Sequence, residues 1–239
     1  GKQMTFEKKK VVYQIYPKSY KDTTGNGIGD LQGIIEKIPY LAKLGVDMVW
    51  LNPFYPSPQH DNGYDISDYT AVNPLFGSMD DFEEMIQVGK EYGIEFMLDM
   101  VLNHCSTEHE WFQKALAGDN YYQDFFFLRD EPTDWLSKFG GSAWAPFGDT
   151  GKYYLHLYDV TQADLNWHNP HVREELFKVV HFWLDKGVKG FRFDVINVIG
   201  KDEILENCPE NDGKPAYTDR PIVHEYLHML NEETFGTDE

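Results

Sequence analysis

Arg192 and Asp194 stand two residues apart in the apolar run Gly190-Phe191-Arg192-Phe193-Asp194. Alternate residues of an extended strand share a face, so the guanidinium and the carboxylate point the same way. A carboxylate at the carboxyl end of a buried strand, kept ionised by a neighbouring cation, is poised as a nucleophile. The plain alternative is a structural ion pair that closes a strand. The pair alone does not choose between the two.

Three further segments carry groups suited to chemistry. Asp61-Asn62-Gly63-Tyr64-Asp65 sets an aromatic ring beside carboxylates in a Gly-containing loop. That combination suits a sugar, whose C–H faces lie on rings while its hydroxyls meet carboxylates. Ordinary packing is the alternative for Tyr64. Asp99-Met100-Val101-Leu102-Asn103-His104 places Asp99 at mid-strand and His104 at the strand end. Asp99 there reads as a buried orienter of Arg192 rather than a reacting group. His104 has the alternative of a strand-end histidine bonded to a backbone carbonyl. Gln162-Ala163-Asp164-Leu165-Asn166 is the third segment.

Two patterns raise the question of metals. Asp22-Thr23-Thr24-Gly25-Asn26-Gly27-Ile28-Gly29-Asp30 has the layout of a calcium loop, with Asp22, Asn26, the Ile28 carbonyl and Asp30 as candidate ligands. A loop held by its own Asx turns accounts for the same residues equally well. Any calcium there is structural, and no cofactor is expected for catalysis. His224-Glu225-Tyr226-Leu227-His228 matches the zinc pattern H-E-x-x-H, but no third ligand follows it. An amphipathic helix with solvent-facing histidines is the better reading.

The elements that must position these groups alternate in period. Strands are predicted over residues 11–15, 48–51, 95–102 and 188–194. Helices are predicted over residues 31–44, 79–92 and 172–186, with Ser78 as the cap of the second and Ile34, Ile35, Ile38, Leu41 and Leu44 on one stripe of the first. Alternating β and α segments, with site residues at strand ends, imply an α/β fold of the (β/α)₈ barrel kind. Only about half of the required strands are found. Between His104 and Asn169 the alternation gives way to a stretch rich in Trp, Tyr, Phe, Gly and Asp.

In order and spacing, the four segments together resemble the α-amylase superfamily of retaining glycoside hydrolases, and the likeness runs from Tyr13-Gln14-Ile15-Tyr16-Pro17 to the end of the chain. The resemblance implies the amino-terminal half of a (β/α)₈ TIM barrel, with an irregular domain inserted after the third strand. The expected division is 1–103 for the first barrel part, 104–170 for the inserted domain and 171–239 for the barrel's continuation. The resemblance assigns the nucleophile to Asp194, held by Arg192. It gives sugar contacts to Asp61, Tyr64, His104 and Gln162. It also implies a general-acid Glu beyond residue 239, so the isolated chain is expected to be inactive. Val195, following the nucleophile, resembles the subgroup holding oligo-1,6-glucosidases, dextran glucosidases and trehalose-6-phosphate hydrolases. Residues 137–144, 161–167 and 224–228 resemble the last of these most. Lys138 and Lys201 are then the candidate cations for a phosphorylated sugar.

Bulk properties narrow the partners. The chain has 239 residues, 41% hydrophobic, and a formal net charge of −19. That charge argues against nucleic acid and anionic membranes, and an anionic substrate would need a local basic pocket. The expected partners are a small disaccharide and the second half of the barrel. No apolar run approaches the ~20 residues of a membrane span. The run Lys8-Lys9-Lys10 precedes too short and polar a segment for a signal peptide. Cys105 and Cys208 form no metal or disulfide framework and read as free thiols of a cytoplasmic protein.

Overall fold

The structure is a computed structural model that describes residues 10–235. Lys8 and Lys9 and the polar tail at 236–239 lie outside the described residues. In chain order the elements are β1 (Val12–Ile15), α1 (Pro17–Tyr20), α2 (Leu31–Lys43), β2 (Met48–Leu51), α3 (Met79–Glu91) and β3 (Glu95–Val101). Next come β4 (His104–Ser106), α4 (Glu110–Leu116), α5 (Asn120–Gln123), β5 (Leu128–Arg129), β6 (Trp144–Pro146), β7 (Tyr153–Leu155) and β8 (Gln162–Asp164). α6 (Pro170–Asp185), β9 (Gly190–Asp194) and α7 (Ile222–Phe235) follow. The chain forms two compact units. One runs up to Phe54 and takes in Val72–Asp99 and Lys186–Arg192; the other holds Tyr55–Ala71, Met100–Asp185 and the chain from Phe193 onward.

The first unit is built on a sheet of order β1-β2-β3-β9. β1 pairs with β2 and β2 with β3 in parallel register, Val49 opposite Phe96 and Leu51 opposite Leu98. These apolar residues are fully or almost fully buried, as parallel strands covered on both faces require. α2 and α3 pack on each other. Each has a side-chain cap. Asp30 Oδ1 accepts from Gly33 N–H at 2.8 Å, and Ser78 with Asp81 forms a reciprocal capping box. Ile34, Ile38 and Leu41 are buried as expected. Leu44 is not: the helix ends at Lys43, Gly45 turns the chain with φ +84°, and Leu44 is left 58% exposed.

The second unit contains two small antiparallel sheets, β4-β8 and β5-β7-β6. The stretch expected to be irregular therefore holds short strands, only two or three residues each, which are too brief to show a period. They surround a core of Phe127, Trp135, Trp144, Leu155, Leu157 and Tyr217. α6 starts at Pro170, two residues earlier than predicted. Proline is well suited to a first helical position, and Asn169 Oδ1 caps the His171 N–H at 2.9 Å. α6 packs against α7. Among the described residues no helix is long and apolar enough to cross a membrane. Both cysteines are free, Cys105 buried and Cys208 partly so.

Candidate active site

The folded chain makes neighbours of segments that are far apart in sequence. β4 and β8 pair so that His104 lies opposite Asp164 and Ser106 opposite Gln162. Gln162 Nε2 then donates to Asp61 Oδ2 at 2.9 Å, which ties the Asp61 loop to β8. Asp65, fully buried, holds that loop by accepting from Ser57 Oγ, His60 N–H and Asp61 N–H. Burial raises the Asp61 carboxyl above its ordinary range, and the charges of Asp65, Asp194 and Asp159 add to the shift, while the Gln162 bond opposes it. Asp194 is half-buried. Its charge is felt by Asp61, His104 and Tyr158, so the carboxylate belongs to this group.

His104 is held in one protonation state and one tautomer by a chain of buried contacts. Lys201 donates from Nζ to Asn103 Oδ1 at 2.8 Å, to the Val198 carbonyl at 2.6 Å and to Asp164 Oδ2 at 3.0 Å. An ammonium has no acceptor, so the amide nitrogen of Asn103 must face the other way. It lies 3.1 Å from His104 Nδ1 and 3.3 Å from Asp164 Oδ2. Nδ1 is therefore the acceptor and Nε2 carries the proton. Burial lowers the His104 pKa, despite the pull of Asp164 and Asp194, and keeps the ring neutral. Nε2 is buried and has no hydrogen-bond partner of adequate geometry. The backbone carbonyl of Tyr64 favours the charged ring. A neutral N–H donor of this kind suits a hydroxyl ligand.

Around this centre the chain supplies rings and strain. The Tyr158 ring packs 5.2 Å from the His104 ring. Burial, followed by the charges of Asp164 and Asp194, raises its hydroxyl pKa. Val195, directly after Asp194, is in the left-handed region at φ +47°. That conformation strains a β-branched residue by roughly 1–3 kcal/mol and marks an enforced change of direction after the strand. In the first unit, Arg192 Nη1 donates to Asp99 Oδ1 at 3.0 Å and the guanidinium lies 5.0 Å from the Trp50 ring. Asp99 is fully buried, and its other oxygen accepts from Asn52 Nδ2 at 3.4 Å. Asp99 is thus an orienting carboxylate, as its mid-strand position suggested.

Several expectations change. Lys201 was a candidate contact for a phosphorylated sugar, but it is fully buried with its ammonium occupied by three oxygens. It is an internal cation that sets Asn103 and Asp164. Lys138 is exposed, with Nζ 5.8 Å from the Tyr158 ring centroid. The loop at Asp22 is held by its own hydrogen bonds. Its carboxylate already accepts from Thr24 N–H, Gly25 N–H and Gly27 N–H, Asn26 Oδ1 accepts from Ile28 N–H, and Asp30 accepts from Thr23 and caps α2. His224 and His228 lie exposed on α7, and His228 pairs with Glu232. Among the described residues no cluster of three or more His, Cys, Asp or Glu could hold a metal.

Asn103, Asp164 and Tyr158 were not singled out from sequence. The first two had a signal: a polar residue inside an apolar strand pattern must find a buried partner. Tyr158 had none, because it lies in the aperiodic stretch. One surface concavity of about 980 Å³, lined by Trp135, Leu205, Pro215 and Arg220, contains none of the candidate site residues.

Comparison with known proteins fits these observations. The chain is 54% identical over 236 residues to trehalose-6-phosphate hydrolase of Bacillus subtilis, covering 96% of this chain and 42% of that protein. It is 49% identical over 241 residues to oligo-1,6-glucosidase of Parageobacillus thermoglucosidasius, covering 96% and 43%. The crystal structure of Bacillus licheniformis trehalose-6-phosphate hydrolase superposes with a TM-score of 0.93 at 54% identity, over 95% of this chain and 42% of that one. The chain therefore spans well under half the length of these relatives. The family described as "Alpha amylase, catalytic domain" matches residues 14–239, and the chain belongs to that family.

Proposed function

We propose that this chain carries the nucleophile and the first sugar-binding residues of a retaining α-glucosidase that hydrolyses trehalose 6-phosphate to glucose and glucose 6-phosphate. Retention needs two carboxyl groups roughly 5–5.5 Å apart, one to attack and one to serve as acid and base. In this reading Asp194 attacks the anomeric carbon and forms the glycosyl-enzyme. Arg192, itself held by Asp99, precedes the nucleophile by two residues on the same strand. His104 donates from Nε2 to a sugar hydroxyl, and Asp61, steadied by Gln162, accepts from others. Tyr64 offers a face to the ring. The acid/base is a Glu in a part of the catalytic domain outside these 239 residues. It protonates the leaving sugar phosphate and then activates the water that releases glucose.

The observation that carries the phosphorylated substrate is Lys138, whose ammonium lies over the Tyr158 ring while that ring packs on His104. A cation one ring away from the sugar site suits a phosphate ester on the neighbouring sugar. The deciding experiment measures glucose release from trehalose 6-phosphate and isomaltose side by side, using a complete catalytic domain that contains this chain. A strong preference for the phosphorylated sugar supports the proposal. A preference for isomaltose moves the protein to the oligo-1,6-glucosidases. Sugar binding without release from either would make it a binding protein.

A further inference from the structure

The charge of Lys214 reaches Lys138 although 76 residues separate them in sequence. The loop bearing Lys138 is fastened to the turn bearing Lys214 at three points. Leu136 N–H donates to the Asp212 carbonyl at 3.0 Å. The Trp135 and Tyr217 rings pack at 5.4 Å. Gly213 lies so close to Trp135 that a Cβ there would fall 2.7 Å from its ring. The turn itself is forced: Asn211, Asp212 and Gly213 are successive left-handed residues, at φ +44°, +60° and +91°, immediately before Lys214. Strain of this kind persists only where the surroundings over-determine it.

Beside Lys138 lie aromatic rings and an unsatisfied hydroxyl. Lys138 Nζ is 5.8 Å from the Tyr158 ring and 5.6 Å from the Tyr217 ring. Tyr217 is fully buried, yet its hydroxyl has no hydrogen-bond partner among the described residues. A buried hydroxyl left unbonded is unfavourable, and a ligand that reaches it would complete it. Neither ammonium has an ion-pair or hydrogen-bond partner among the described residues. Burial and then the charge of Lys214 both lower the Lys138 pKa, so the two ammoniums repel each other. In a protein of formal charge −19, two unpaired and mutually repelling cations form a local exception that an anion would relieve.

We propose that Lys138 and Lys214 together bind the phosphate monoester of the substrate, with the Tyr217 hydroxyl as a third donor. The line His104, Tyr158, Lys138, Lys214 then runs outward from the first sugar to the phosphate on the second. This proposal rests on the trehalose 6-phosphate reading and deepens it, because it makes Lys214 a determinant of specificity that the sequence did not reveal.

The test compares Lys214→Met, Lys138→Met and the double variant with the parent, all as complete catalytic domains, by kcat/KM on trehalose 6-phosphate and on isomaltose. The ratio of the two is the readout, so a general loss of folded enzyme cancels. Losing one charge-assisted contact should lower the ratio about ten- to a hundredfold. Lys214→Arg should restore most of it, and inhibition by glucose 6-phosphate should weaken in step. A parent that prefers trehalose 6-phosphate while Lys214→Met keeps that preference within about twofold overturns the lysine pair alone. A parent that prefers isomaltose overturns the substrate reading itself.

Discussion

The ammonium of Lys201 lies 3.0 Å from Oδ2 of Asp164, and neither side chain has any exposure to solvent. Burial lowers the lysine's pKa, and the attraction of Asp164 works against that shift. Such a pair contributes little compared with apolar residues of the same volume, but breaking it leaves a charge buried alone. Lys201→Met should destabilise the chain by about 3–5 kcal/mol in urea unfolding. Asp164→Asn in the same background should recover part of the loss, because it removes the stranded carboxylate. A loss below about 1 kcal/mol from Lys201→Met would contradict the placement of the pair.

His109 gives the chain a pH dependence of known sign. Its Nδ1 caps α4 by accepting from Trp111 N–H at 3.0 Å, and burial lowers its pKa from 6.5 to about 4. The unfolded chain therefore takes up this proton first as the pH falls. The stabilisation is complete above pH 6.5 and is lost between there and about pH 4, an effect of order 3 kcal/mol. His104, also lowered by burial, acts in the same direction. His109→Asn keeps a cap acceptor but removes the titration. Urea unfolding at pH 7 and pH 4.5 should show a shallower loss for this variant than for the parent; equal losses would rule out His109 as the source.

The Asp22 loop makes a prediction about calcium. Three backbone N–H groups and the Thr24 hydroxyl already fill the Asp22 carboxylate, and they lower its pKa. A cation bound at a hundredfold excess over its Kd would stabilise the fold by about 2.7 kcal/mol and raise the melting temperature. Millimolar calcium should instead leave the melting temperature of the chain unchanged, while Asp22→Ala lowers it by freeing the loop. A calcium-dependent rise that disappears in Asp22→Ala would restore the metal site.

What could be read from sequence follows a physical divide. Long elements with a clear period, such as α2, α3 and β3, came within a residue or two of their observed ends, and Ser78 capped the helix expected of it. The second unit was legible only as aromatic and glycine-rich, because strands of two or three residues carry no periodic signal. Candidate site residues at strand ends were legible as candidates because chemistry and pattern coincide there. Lys201 was misread because its partners, Asn103 and Asp164, are distant in sequence. Only the folded chain shows that the lysine turns inward. Lys214 left no trace for the same reason: its meaning comes from Lys138 across a turn held by Trp135 and Tyr217.

In the proposed reaction Asp194 forms a covalent bond to the sugar. The most direct measurement is mass-spectrometric peptide mapping of a complete catalytic domain containing this chain, after reaction with a fluorinated α-glucosyl fluoride that slows release of the intermediate. A single hexosyl adduct is expected on the peptide containing Asp194, and none in Asp194→Asn, whose turnover should also fall by at least about a thousandfold. An adduct on another carboxylate, or undiminished turnover in Asp194→Asn, would contradict it.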